Sequence, residues 1–545
     1  MALANFLDKA ALNAAQILNN YDRTEFETTL IHTEIAIVFG QNAALTHEGR
    51  SALDMLMRLL ARLYPNICVI DLTENKKQES VLKTIAKSIN PQINFAHDNP
   101  NIYIAVGDVN YDFNNACTFF IGASGWAAKF STRQTLEFGS SKNPFGGGCA
   151  ACFAAANIFR QVFKDQLPHG QLDSDFSFSA LRFIKNPDSL EEVNLDKVNI
   201  KKMSLFGVGA IGNGFLWALK NTPELAGQLN VIDGQKIDLS NLQRYVLTTQ
   251  DDIEKWKVDL GKKLFDGSAI EVTEFRGTLQ EYFSEKQNWE IDTAAVCVDS
   301  VEDRMALQAS LPKKIFNAWT QHEDIGVSRH LNFLTASCLC CLYLPETKKL
   351  NRSEEIATNL NLNTPQHERI IREYLATGKP VDRGLINLIC SQNRIEPVVL
   401  SQFEGASLEV FHSQVVCGGV FMKLTSGTLS QNNMEVPCAF ESALAGILLA
   451  AEVVIDVGTN RATELPVISR INLLRPLSEY LNQPHSKHPS GRCICQDDVF
   501  KVAYTNKWNI PSSVPKKDNP NLATGSEGRM QIYSSNETSK KKIRN

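Results

Sequence analysis

"VIDGQKIDLSNLQRY" (residues 231–245), read with "LFGVGAIGNG" (205–214) just before it, decides the fold. Gly207, Gly209 and Gly212 keep G-x-G-x-x-G spacing, directly after an apolar run and before "FLWALKN". The first glycine gives a tight turn, the second lets backbone approach a phosphate, and the third lets a helix pack on the sheet. The N–H groups that start such a helix then face an anion. Asp233 closes the next apolar run, where an acid reaches a ribose hydroxyl. Together these features predict a strand–turn–helix–strand unit that binds a nucleotide.

The segment then runs on into Asp238, Asn241 and Arg244, which a hydride-transferring enzyme does not need. An enzyme that opens ATP at its α-phosphate must hold three phosphates and neutralise charge as attack proceeds. Arg244 offers one cation. Lys257, in "DDIEKWKVDLGKKL", offers a second, with Lys255, Lys262 and Lys263 as rivals. Asp299, in "AAVCVDSVEDR", ends a further apolar run and is the candidate Mg²⁺ ligand over the crevice of a parallel sheet. Asp303 and Arg304, one turn on, read as capping and pairing residues.

Outward from this unit, apolar runs alternate with helical patterns: "TEIAIVFG", "NICVIDL", "NIYIAVGDV" and "CTFFIGA", then "IKKMSLFGV", "LNVID" and "TAAVCVD". Such alternation predicts an α/β fold with parallel sheets. The first strand–turn–helix, "FGQNAALTHEG", lacks the glycine spacing, so the expected architecture is two Rossmann-like adenylation folds, the first degenerate and the second intact. The expected divisions are a degenerate α/β domain at 1–170, a linker at 171–198 and an active adenylation domain at 199–344. A helical insertion with the catalytic-cysteine region follows at 345–415, then the remainder of the adenylation domain at 416–510 and a disordered tail at 511–545.

Composition excludes some classes. With 545 residues, 43% hydrophobic content and a net charge of −5, the chain can bury large cores and carries no overall basic field for nucleic acid. "CAFESALAGILLAAEVVIDVG" is broken by Glu441, Glu452 and Asp456, so it reads as a buried helix and no membrane span is expected. The first residues show no secretory pattern, and thirteen cysteines, an odd number, point to reduced thiols in a cytoplasmic protein.

The run "GVGAIGNG…VIDGQKIDLSNLQRYVL…WKVDLGKKL…VCVDSVEDR" resembles the ThiF/MoeB/HesA superfamily, over roughly 199–345 and again 410–497. The resemblance implies ATP-dependent adenylation of the C-terminal carboxylate of a ubiquitin-like protein. It implies that Asp233 holds the ribose, that Asn241, Arg244 and Lys257 hold phosphates, and that Asp299 holds magnesium. Two halves in one chain are similar to the pseudodimeric layout of ubiquitin-type activating enzymes, whose simpler relatives are homodimers. Their sites often borrow an arginine from the other half, for which Arg50 is a candidate. The degenerate first half and the "VPCAFESALAGILLAAEVV" helix also resemble the long activating enzymes of bacterial antiphage operons. The sequence shows no conjugating-enzyme domain, so transfer to a separate conjugating enzyme is expected.

Cys338 and Cys341 form C-x-x-C, a reach that suits two zinc ligands, and Cys493 with Cys495 can supply the other pair. Zinc-bearing members of the family carry a second C-x-x-C there. Here it is C-x-C, one residue short, and Cys340 is an alternative ligand. Cys417, in "FHSQVVCGGVFM", resembles the family's thioester-forming cysteine, with Cys438 as its rival and His412 nearby. Cys149 and Cys152, on an Ala-rich helix, read as buried small residues. The competing readings are a sulfur-carrier adenylyltransferase that forms no thioester, an NAD-dependent oxidoreductase and a noncatalytic scaffold.

Overall fold

The computed structural model describes residues 3–511, apart from 96–99, 189–194, 196, 286–289, 322–323, 345–350, 363, 394, 396, 413–414, 416–435, 459–460 and 462–463. Two sheets organise it. The first contains β1 (Glu34–Phe39), β2 (Asn66–Asp71), β3 (Ile102–Val106), β4 (Cys117–Ser124), β5 (Ala127–Ser131), β6 (Phe176–Ser179) and β7 (Ile184–Lys185), in the order β2-β1-β3-β4-β5-β6-β7. The second contains β8 (Asn199–Phe206), β9 (Ala226–Ile232), β10 (Ile270–Phe275), β11 (Thr293–Val296), β12 (Lys314–Gln321), β13 (Asp324–His330), β14 (Ile468–Ile471) and β15 (Asn482–Gln483). Its order is β10-β9-β8-β11-β12-β13-β14-β15.

The two orders superimpose once β10 is set aside. In each half the leading strands pair in parallel, as β2-β1-β3-β4 and β9-β8-β11-β12. In each, three antiparallel strands follow. The near-continuous apolar character of β1, β3 and the end of β8 suits strands covered on both faces by helices. The expected α/β fold of two Rossmann-like units is therefore present, built twice on one plan. The stretch expected as a linker differs: β6 and β7 extend the first sheet. They are short and are specified by pairing, β6 with β5 and β7 with β6, rather than by local pattern.

Helix packing explains the stripes of small residues. In the second half, a Cβ on Gly446 would collide with the Ile211 carbonyl, and one on Gly214 would lie 2.7 Å from the Ala443 oxygen. The helices Ala210–Asn221 and Ala439–Gly458 thus touch backbone to backbone. In the first half, Gly147 lies equally close to Glu48, joining Phe145–Val162 to His47–Leu60. The two long apolar helices meet across the seam, with Phe159 and Phe440 rings 5.8 Å apart, and a single apolar core runs through both halves. The pseudodimer is thus internal to one chain. Ala439–Gly458 is buried within that core, and no described helix is long and apolar enough to cross a membrane. Helices between Arg352 and His412 form a separate unit around their own core, which includes Ile356, Ile371, Ile389 and Phe411.

The first half keeps the plan but fills its crevice. Asp71 ends β2 as Asp233 follows β9, yet its oxygens accept the Thr73 hydroxyl at 2.6 Å and the Glu79 N–H at 3.2 Å, closing the turn into the next helix. Glu48, fully buried in the first turn of His47–Leu60, takes the N–H groups of Gly125 and Ser141. A protein carboxylate thus occupies donors near this helix start, and nothing in the half provides the glycine turn of the second.

Candidate active site

The intact crevice lies at the carboxyl ends of β8, β9 and β11, where the strand order reverses and open α/β sheets bind ligands. Gly207, at φ +91°, makes the turn out of β8; a Cβ there would press on the Cys297 backbone. A Cβ on Gly212 would collide with the Gly207 carbonyl, so this glycine serves packing. A Cβ on Gly209 would meet only the Tyr245 hydroxyl, at 3.6 Å, which leaves its backbone open to a ligand. Asp233 accepts the Val208 N–H at 2.8 Å and the Gln235 N–H at 2.9 Å, so the acid is braced against the glycine turn.

The stretch after Asp233 wraps round to the same place. Asp238 and Asn241 form a reciprocal cap: the Asn241 Oδ1 accepts the Asp238 N–H at 3.0 Å and fixes a short 3₁₀ turn, Leu239–Gln243. Asn213, wholly buried, ties this loop to the glycine turn by accepting the Leu247 N–H and donating to the Val208 and Gly209 carbonyls. Arg244 and Lys257 then converge on one ring. Their charged ends lie 5.6 and 5.2 Å from the Tyr245 centroid, within cation–π range. Burial weakens the proton affinity of Arg244, and the neighbouring Tyr245 and Asp299 partly offset this. Lys257 is buried and donates to the Gln235 Oε1 at 2.6 Å. Of its rivals, Lys255 and Lys263 pair with Asp252, and Lys262 is exposed. Sequence reading missed Tyr245, Gln235 and Asn213. Each lies within or beside a quoted motif, but a neutral side chain carried no signal of its own.

Asp299 is exposed, makes no hydrogen bond among the described residues and faces the Arg244 charge. A lone free carboxylate beside a phosphate site suits Mg²⁺, which takes one or two protein oxygens and completes its shell with phosphate and water. Arg304 holds the loop bearing Asp299: it donates to the Val298 carbonyl and, on its other side, to Asn317 at 2.6 Å and the Tyr343 hydroxyl at 2.7 Å. Asp303 receives its cap from Ser300. Both are structural, but the cap is Ser300 rather than Asp303, and Arg304 is held by neutral groups rather than by a charge partner among the described residues.

Arg50, the candidate borrowed arginine, is exposed and donates to the Leu45 carbonyl at 2.7 Å, at the start of its own helix region. The first half instead reaches this loop through Arg58, which donates to the Val246 carbonyl at 3.1 Å. Arg62 joins it, donating to Leu242 at 2.5 Å and Thr248 at 2.9 Å. These contacts bracket Arg244 and Tyr245 from behind.

On the far side of Arg304, Cys338, Cys341, Cys493 and Cys495 are buried with their sulfurs all within 4.8 Å of one another. The individual separations include 3.4 Å for Cys338–Cys493 and 3.5 Å for Cys341–Cys495. Four thiolates around tetrahedral zinc lie about 3.8 Å apart, so the set fits that metal. Cys340 turns away, toward the Met305 carbonyl. The C-x-C spacing suffices because the short 3₁₀ turn Ile494–Gln496 brings both sulfurs to one side.

A family model described as ThiF family matches residues 182–356, and one described as Prokaryotic E2 family C matches residues 38–164. A protein of Sinorhizobium fredii (strain NBRC 101917 / NGR234), titled Uncharacterized protein y4jF, is 38% identical over 515 residues, 93% of this chain and 98% of its own. The chain belongs to the ThiF family. Solved structures similar to it include E. coli MccB with MccA-N7isoASN, at 16% identity and TM-score 0.34, covering 56% of this chain and 69% of that one. E. coli MccB with AMPCPP and MccA is similar at 18% identity and TM-score 0.32, covering 54% and 67%.

The ThiF-family match covers the glycine-turn crevice and the first two cysteines of the cluster. The E2-family match falls on the first sheet, where sequence reading saw no conjugating domain. That stretch repeats the strand order of the ThiF half, and burial raises its thiols Cys68, Cys117, Cys149 and Cys152 above their usual range. Cys149 and Cys152 are fully buried, as expected. Cys417 lies outside the described residues, as does the tail from 512. Cys438 is buried, donates to the Asn13 Oδ1 at 3.1 Å and is held protonated by burial. His412 is a core residue of the helical unit, bonded to Asn359.

Proposed function

We propose that this ThiF-family chain activates the C-terminal carboxylate of a ubiquitin-like protein with ATP. The convergence of Arg244 and Lys257 on Tyr245, beside the open Gly209 backbone, carries the reading. Triphosphate would lie over the glycine turn, with Asp233 at the ribose and Asn241 offering its amide N–H groups. Asp299 would hold Mg²⁺, which screens phosphate charge. A carboxylate oxygen attacks the α-phosphorus, the bond to the β-phosphate oxygen breaks, and pyrophosphate leaves with its electron pair. The acyl-adenylate remains, its added charge met by the two cations.

In the second step the Cys417 thiolate attacks the acyl carbon, expels AMP and forms a thioester, which passes to the cysteine of a separate conjugating enzyme. This step rests on the resemblance of Cys417 and of the following helix to the family pattern, and on the burial of Cys438. The likeness to antiphage-operon enzymes supports a place in antiviral defence. ATP–pyrophosphate exchange with a candidate ubiquitin-like protein tests the first step: Asp299→Ala should abolish it, and undiminished exchange refutes the assignment. A DTT-sensitive adduct that disappears in Cys417→Ala tests the second. Adenylate without any such adduct returns the sulfur-carrier reading, in which the chain stops at the adenylate.

A further inference from the structure

Arg62 is buried to 1% exposure, and no carboxylate among the described residues is paired with it. The charge that lies near it is Arg58, of the same sign. Its two terminal nitrogens go to the Leu242 and Thr248 carbonyls, while its Nε has no partner among the described residues. The hydroxyl of Tyr64, also buried, has no partner either. Both residues line one cavity of about 30 Å³ at the seam of the two halves, walled by Asn13, Gln243, Cys438 and Phe440. Two donors without a partner among the described residues, one on a cation that no described carboxylate meets, therefore belong to residues lining one space that holds a single small ion or one or two waters. Burying a guanidinium without a counter-charge is costly, and a neutral water would satisfy the donors without relieving the charge.

We propose that this cavity is an internal site for a small monovalent anion of the halide class, held by the Arg62 Nε–H and the Tyr64 hydroxyl. The other face of the same guanidinium grips the loop that presents Arg244 and Tyr245, so the anion also stiffens that loop from behind. Occupancy is independent of the identity of the protein substrate.

The test uses the full chain in chloride, bromide and gluconate at constant ionic strength. Melting should rise saturably with chloride by about 2 °C over gluconate, and amides of Tyr245–Thr248 should exchange more slowly. Bromide-soaked crystals should show an anomalous peak within hydrogen-bond reach of both donors. Tyr64→Phe should weaken the halide response and Arg62→Met should remove it; if Arg62→Met does not fold, Tyr64→Phe and the bromide peak decide alone. Equal melting in chloride and gluconate, or water in the cavity without a bromide peak, overturns the proposal.

Discussion

Trp217 donates its indole N–H to the Asp54 Oδ2 at 2.7 Å, across the seam from the glycine-turn helix of one half to His47–Leu60 of the other. The ring fills the place that a Cβ on Gly148 would need. Trp217→Phe keeps much of the ring but takes one of two donors from a carboxylate that also pairs with Arg58. It should cost about 1.5–3 kcal/mol, and Trp217→Ala about 3–5 kcal/mol. Urea unfolding reads both as lower midpoints. Loss of activity without loss of stability would contradict a purely structural seam.

Gly209→Ala and Gly212→Ala should separate binding from folding. The added methyl at 212 meets the Gly207 backbone, so this variant should be strongly destabilised or insoluble. At 209 it meets only a hydroxyl, so the protein should fold and lose ATP affinity, as read by calorimetry.

The lysines can be ranked by pyrophosphate exchange. Lys257→Ala and Arg244→Ala should each lower the rate by about 10²–10³-fold, the range for removing one group that stabilises developing charge. Lys263→Ala should remain near wild type, because its ammonium is committed to Asp252.

Metal content tests the cysteine cluster. Cys341→Ser should lose zinc and melt at lower temperature, whereas Cys340→Ser should keep about one zinc per chain by elemental analysis. Equal zinc in both would reassign the fourth ligand.

Glu452 is held at a pKa of about 2 against burial by the charges of Arg329 and Arg461. A depressed folded value stabilises above the unfolded one, near 4.5, and that contribution fades as pH falls toward 2. Acid unfolding should therefore shift to higher pH in Glu452→Gln. The loss should reach several kcal/mol at neutral pH, since the buried Arg329 and the half-buried Arg461 both lose their counter-charge.

Much of this was legible because its signals are local. The glycine spacing, the apolar strands up to β4 and the cations at 244 and 257 each sit in one short run. Strands β5–β7, β10 and β12–β15 were not read, because they are specified by the strands they pair with, some far away in sequence, rather than by their own pattern. The four-cysteine set was legible from its two pairs, but the choice between Cys340 and the short C-x-C was not, since the turn at Ile494–Gln496 brings its sulfurs together only in three dimensions. Arg62 was invisible: a lone arginine after a Leu-rich helix says nothing until the loop of the other half closes over it.

The filled crevice around Asp71 and Glu48 has a further consequence. In an enzyme assembled from two identical chains, every substitution lands in both copies, so neither can drop the chemistry without the other. Two halves of like strand order within one polypeptide are free of that constraint. Here the first half grips the site loop of the second through Arg58 and Arg62, so its own sequence can change freely except where it holds its neighbour.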